Sequence, residues 1–150
     1  MFALEHRVRV FVFQVLDDEI QYLLLRRRPR HEWPLGPAIG RVGLDEHMRE
    51  AVVREVREET GIHCPVNVLE LDQPSKELFG ADVGIVDWPF GYQAGTPAAP
   101  VDEIQPGPRV GEARWMAFEN AFRSVENEID RDVLVRLQIE LGGAAPPPAA

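Results

Sequence analysis

Cysteine is nearly absent: Cys64 stands alone among 150 residues. One thiol cannot close a disulfide within the chain or build a cysteine-based zinc site. Lysine is equally scarce, with Lys76 the single one among 16 basic residues. Those 16 face 25 acidic residues, which leaves a net charge of −9. A general nucleic-acid polymer binder needs a basic face, so that class is excluded. A small phosphorylated substrate stays compatible, because a metal ion and a few arginines reverse the sign locally. No apolar run approaches the roughly 20 residues of a membrane span. Glu5, His6, Arg7 and Arg9 put charge where a signal peptide would be apolar. The expectation is a cytoplasmic protein with no membrane partner. What is present is ordinary globular material, 45% hydrophobic and 27% charged. It is read as one domain over residues 1–141, with the Ala/Pro/Gly-rich 142–150 as a disordered tail.

Arg7 to Leu16 alternates and is rich in Val and Phe, which predicts a strand. Ile20 to Arg26 predicts its antiparallel partner. Arg27 to Gly40 carries three prolines and reads as a loop with one short extended piece. Asp45 to Thr60 is the strongest helix, with Asp45 as N-cap and Gly61 at the stop. Strands follow at Pro65–Leu71, within Glu77–Trp88 and at Gly111–Ala117. A long loop spans Ala94–Pro108, and a second helix covers Val125–Leu141 with Ile129, Val133, Leu134 and Leu137 on one face. Strands with a helix on each side predict an α/β fold, a three-layer α/β/α sandwich around a mixed sheet.

On the first helix, Glu55, Glu58 and Glu59 share an arc of about 100° with Met48 and Ala51. Like charges at these spacings repel, more so when desolvated. Arg54, four residues before Glu58, neutralises one charge. A divalent cation is the natural partner for the rest, and clustered carboxylates favour Mg²⁺ or Mn²⁺ over Zn²⁺. A solvated acidic helix face is the competing account, since structural ion-pair networks also gather charges.

The spacing goes further. From Gly40, five residues lead to Glu46 and seven more to Arg54-Glu55-Val56. Glu58, Glu59, Gly61 and Ile62 follow. This resembles the Nudix hydrolase signature G-x5-E-x7-R-E-U-x-E-E-x-G-U (U an apolar residue) at every fixed position. A chance match at one start point is about one in 10⁹ or rarer. The leucine run ending in arginines, the Trp33-Pro34 loop and Glu112-x-x-Trp115 resemble the usual flanks. The resemblance covers residues 7 to 141.

The resemblance implies hydrolysis of a nucleoside diphosphate linked to another group, with Mg²⁺ or Mn²⁺. Glu55, Glu58 and Glu59 would hold the metal, and one of them, Glu55 first, would orient or deprotonate the attacking water. Arg54 would orient a catalytic carboxylate. Glu46, Gly40 and Gly61 would be structural members of the box. The backbone carbonyl before the box glycine is often a further metal ligand; here it would come from Ile39, where the family usually has glycine. A further acidic residue often completes the site; Glu112 is the first choice and Glu103 the second. Arg26 and Arg28, two of three successive arginines closing the second strand, are candidates for a substrate phosphate. Phe79, with Trp33, Trp88, Phe90 and Tyr92, is a candidate for a base pocket. All four histidines are read as surface or structural, and Cys64 as a small buried hydrophobe.

Subfamily markers narrow the substrate by elimination. The proline of ADP-ribose pyrophosphatases is replaced by Glu77 and Leu78, and the tyrosine of dinucleoside polyphosphate hydrolases by Phe79. That leaves a nucleoside triphosphate or a related triphosphate, dihydroneopterin triphosphate included. A dinucleoside polyphosphate hydrolase and a non-catalytic nucleotide-binding module are the alternatives, and a prenyl diphosphate isomerase is disfavoured. A homodimer is common in the family.

Overall fold

A computed structural model describes residues 3–28, 34–71, 74–79, 83–101 and 103–142; Trp33, His31 and all of the expected tail except Gly142 lie outside them. Strand β1 (Ala3–Val15) is the centre. Its alternation sends Val8, Val10 and Val12 to one face and Phe11 and Phe13 to the other, all almost wholly buried. Buried on both faces, it reads as a central strand. β2 (Ile20–Arg27) returns antiparallel through the turn closed by Leu16 N–H to the Glu19 carbonyl, 2.9 Å. β3 (Ala38–Arg41) pairs antiparallel with β1, Arg9 opposite Ile39.

Helix α1 (Met48–Thr60) follows, then β4 (Asn67–Glu70), β5 (Ser75–Phe79) and β6 (Val83–Gly95). β6 lies parallel to β1, and the remaining pairs are antiparallel. β7 (Val110–Ala117), α2 (Phe118–Ser124) and α3 (Glu128–Glu140) complete the chain. The seven-stranded mixed sheet carries the order β4-β6-β1-β2-β7, with β3 beside β1 and β5 beside β6. Val8, Val10 and Val12 pack under Ala51, Val52 and Val56 of α1. Phe11 and Phe13 pack under Phe118 and Ala121 of α2 and Val133, Leu134 and Leu137 of α3. Two cores on opposite faces of one sheet make the expected three layers.

Several boundaries differ from the sequence reading. The strand expected within Glu77–Trp88 is two, β5 and β6. Pro89 reads as a breaker, yet β6 runs through it. It sits where β6 changes partner, from β5 (Ser75 opposite Asp87) to β4 (Glu70 opposite Phe90). α1 starts at Met48 with His47 as N-cap and no side-chain cap, not at Asp45. Asp45 belongs to a turn pinned by Gly43 N–H to Glu46 Oε1, 3.0 Å. α2 was not expected; its seven residues are too few for an apolar period to show. α3 begins after Asn127, whose side chain accepts from the N–H groups of Ile129 and Asp130. Ile129 is exposed rather than on the buried face, and Cys64 is exposed rather than buried. Phe90 and Tyr92, for which core packing is the alternative to a base pocket, lie in the core under α1. Trp88 stacks on His6 and donates from its indole N–H to His6 Nδ1 at 3.0 Å. Phe79 ends β5, and its side chain lies outside the described part. No helix among the described residues is long and apolar enough to cross a membrane.

Candidate active site

Helix α1 builds the site by burying its own acidic stripe. Ala51, Val52 and Val56 anchor the helix to the sheet. At 3.6 residues per turn, Glu55 and Glu59 go under with them, each 2% exposed, while Glu58 stays at the rim at 44%. Gly61 ends the helix at φ 79°, a conformation that favours glycine, and its N–H bonds the Arg57 carbonyl.

Gly40 acts by close approach rather than as a loop residue. It lies in extended strand β3, and a Cβ there would stand 2.1 Å from Glu55 Oε2. The missing side chain is the space that Glu55 occupies. Ile39 is tolerated before it, because β3 is extended there and needs no positive φ.

Arg54 binds the cluster together. It reaches Glu46 through Nε and Nη2 at 2.8 and 3.1 Å, the Arg41 carbonyl at 2.7 Å, Glu55 Oε2 at 3.2 Å and Glu58 Oε2 at 3.3 Å. The partner with the best fork geometry is thus Glu46, eight residues back, rather than Glu58. The Arg54 hydrogen bond holds the Glu46 carboxyl below its usual range, and Glu46 raises Arg54 in return. The box glutamate and arginine form one brace behind the buried pair.

Hydrogen bonding in the pair is incomplete. Glu55 Oε1 and both Glu59 oxygens are buried with no hydrogen-bond partner. Burial first, then the neighbouring Glu59, push the Glu55 carboxyl up from 4.5 to about 7.

Two further arginines meet these carboxylates. Arg27 donates from Nη2 to the Ile39 carbonyl at 2.7 Å and stands 3.7 Å from Glu59 Oε1. Arg109 Nη2 lies 3.3 Å from Glu59 Oε1 and 4.0 Å from both Glu55 Oε1 and Glu58 Oε2. The sequence reading selected Arg26 and Arg28 instead. Arg27 had a signal, since it continues the alternation of Leu23 and Leu25, which face α1. Arg109 had none, coming from an irregular segment. Arg26 is turned to Glu112, opposite it in register on β7, with an Nη1–Oε1 separation of 2.5 Å. Glu112 also lies 3.6 Å from Arg114, so its contacts are with these arginines rather than with the α1 carboxylates. Arg28 is exposed beside Gly111, and Glu103 is exposed ahead of Gln105.

A cavity of about 460 Å³ is lined by Arg27, Ile39, Gly40, Arg54, Glu55 and Arg109, among others. A second, of about 240 Å³, shares Arg27 and Ile39 and continues over Leu25, Pro34, Leu35 and Pro37 toward Asn127. A larger hollow of about 1070 Å³ lies around the 41–48 turn; it touches Arg54 and Glu46 but none of Glu55, Glu58 and Glu59. The smaller pair is therefore the cleft with chemistry in it: buried Glu55 and arginines line it, an apolar extension continues from it, and Glu58 and Glu59 line an adjoining hollow with Arg109.

The sequence profile described as NUDIX domain matches residues 5–137. The chain belongs to the NUDIX family. No curated protein matches it in sequence. Solved structures share the NUDIX fold across nearly all of its length. An Ap4A hydrolase of C. elegans superposes with a TM-score of 0.69 at 19% identity, covering 93% of this chain and 99% of that one. The E. coli dihydroneopterin triphosphate pyrophosphohydrolase gives 0.68 at 19%, covering 89% and 95%. The NUDIX domain of Shewanella oneidensis NrtR, complexed with ADP ribose, gives 0.73 at 15%, covering 94% and 90%.

The NUDIX residues present suit a divalent cation. The donors are hard carboxylate oxygens, three of them are buried without a hydrogen bond, and Ile39, whose carbonyl accepts from Arg27, lines the same cleft as Glu55. Among the described residues no three acidic, His or Cys side chains already converge as a cage. Glu58 and Glu55 are turned to Arg54 and Arg109, so a cation would gather them by side-chain rotation.

Proposed function

We propose that this NUDIX chain is a Mg²⁺- or Mn²⁺-dependent pyrophosphohydrolase that cleaves the diphosphate linkage of a nucleoside triphosphate or related nucleoside diphosphate derivative. The observation that carries the reading is the set of buried Glu55 and Glu59 oxygens without hydrogen-bond partners, Glu55 lining the arginine-walled cleft and Glu59 an adjoining hollow that it shares with Glu58 and Arg109. Glu55, Glu58 and Glu59 hold the cation. When bound, it neutralises charge on the diphosphate and lowers the pKa of the attacking water. Glu55 orients that water. Arg54, braced by Glu46, fixes the angle of Glu55 and Glu58. Arg27 holds the Ile39 carbonyl toward the site and places positive charge beside the phosphates. The apolar extension over Leu25, Leu35 and Pro37 receives the base.

The test is phosphate and pyrophosphate release from a panel with Mg²⁺ and with Mn²⁺. The panel includes nucleoside triphosphates, dihydroneopterin triphosphate, dinucleoside polyphosphates, ADP-ribose and sugar nucleotides. Turnover of a triphosphate that disappears in Glu58→Gln is the expected result. Preference for dinucleoside polyphosphates would move the substrate class. Ligand-induced thermal stabilisation with no turnover would make the chain a binding module and overturn the reading.

The Glu55 carboxyl adds a pH prediction. Because its folded value lies above the ordinary 4.5, the metal-free protein gains stability from protonated Glu55 below that value and loses it as pH rises through about 7. A cation must displace that proton. Apparent Mn²⁺ affinity should therefore fall as pH drops through about 7, approaching about tenfold per pH unit well below it, and level off above. Calorimetric titrations across pH 5.5–8.5, in buffers of different ionisation enthalpy, count the released proton. A flat profile rejects the coupling.

A further inference from the structure

Among the described residues three arginines meet the buried carboxylates, and they are not held alike. Arg54 is fixed by the Glu46 fork and the Arg41 carbonyl. Arg27 is fixed by its 2.7 Å hydrogen bond to the Ile39 carbonyl. Arg109 differs from both. Its contacts with Glu55, Glu58 and Glu59 are ion pairs at 3.3–4.0 Å that leave Glu55 Oε1 and both Glu59 oxygens without a hydrogen bond, and its side chain is 64% exposed.

Its backbone, in contrast, is anchored. Gln105 N–H donates to the Thr60 carbonyl at 2.9 Å and Gly107 N–H to the Glu59 carbonyl at 3.2 Å, tying this segment to the end of α1. The Arg109 carbonyl accepts from Arg28 N–H at 2.8 Å. A long, exposed side chain thus pivots from a fixed point on the wall of the 460 Å³ cleft. One guanidinium nitrogen among three carboxylates is a poor substitute for a dication, because its charge is single and spread over a planar group. The same fork is well matched to phosphate oxygens.

We propose that Arg109 is a two-position substrate-binding residue. In the metal-free protein it is the provisional counter-ion of Glu55, Glu58 and Glu59. When a divalent cation takes those carboxylates, Arg109 is expelled by charge repulsion, swings about its anchored backbone and grips the substrate's phosphates. This rests on the metal-dependent reading above and adds to it a residue outside the signature.

The experiment compares the parent, Arg109→Gln and Arg123→Gln, the last removing one exposed charge from α2 on the opposite face of the sheet. Mn²⁺ alone is titrated first by calorimetry. Removing the competing cation should tighten Mn²⁺ binding about threefold or more in Arg109→Gln and leave Arg123→Gln near the parent. With Mn²⁺ saturating, α,β-methylene-ATP is then titrated as an uncleaved triphosphate probe. Arg109→Gln should bind it about tenfold more weakly, the effect of losing one charge-assisted phosphate contact. Opposite signs for metal and triphosphate are the signature. Unchanged or weakened Mn²⁺ binding in Arg109→Gln, or unchanged triphosphate binding, overturns the role of Arg109. An equal shift in Arg123→Gln reduces it to bulk charge and also overturns it. Absence of Mn²⁺ binding in the parent itself overturns the metal-dependent reading and the Arg109 proposal with it.

Discussion

Glu55→Gln is expected to lower metal-dependent turnover by about 10³-fold, roughly 4 kcal/mol of transition-state stabilisation, while leaving the metal-free fold at least as stable as the parent. The two halves have one cause. Glu55 is 2% exposed, has an oxygen with no hydrogen-bond partner, and faces the equally buried Glu59. An amide of the same shape keeps the packing and removes the repulsion. It also removes a carboxylate that a divalent cation needs. The proposed role therefore conflicts with folding at this position, as is common where strain serves function. Thermal melts with and without Mn²⁺ check the second half. The variant should melt no lower than the parent without metal and gain less from Mn²⁺. Turnover within about tenfold of the parent would remove Glu55 from the metal set, and a marked loss of metal-free stability would show that its charge is structural.

Gly40→Ala is expected to cost about 10²-fold in turnover with only a modest loss of stability. The added Cβ would lie 2.1, 2.2 and 2.8 Å from Oε2, Cδ and Cγ of Glu55. All three atoms belong to the outer part of one side chain, so the strand stays and the carboxylate moves. A displacement on the order of 1 Å is enough to spoil a metal-bound geometry. A double-mutant cycle isolates the clash. In a Glu55→Ala background, Gly40→Ala should be nearly neutral for melting temperature. An equal loss of stability in both backgrounds would place the effect in the β3 backbone instead.

The box residues were legible because each depends on chain-local geometry. A helix of known period places Glu55, Glu58 and Glu59 together whatever surrounds it, and Gly61 ends that helix by its own backbone preference. The layers were legible for the same reason: Val8, Val10 and Val12 against Phe11 and Phe13 is a period of two. Register was not. The alternation of Leu23 and Leu25 does point to Arg27, but that Glu112 stands opposite Arg26 and not among the α1 glutamates depends on how β2 lies against β7. The part of β6 beyond Trp88 was not legible, because what makes Pro89 harmless is a change of pairing partner from β5 to β4, which no local pattern of residues shows. Cys64 was taken for core from its residue type alone, whereas exposure is decided by what else is near.

The family, the three layers and the acidic stripe with its arginine and glycines were readable from the chain alone, since these are periodicities and spacings within short runs of residues. The folded arrangement was needed to show how deeply the stripe is buried, that Gly40 makes room for Glu55, that Arg54 leans on Glu46, and that Arg27 and Arg109 meet the carboxylates. Burial, close approach and charge compensation are relations between distant segments, and they acquire values only once the sheet brings those segments together.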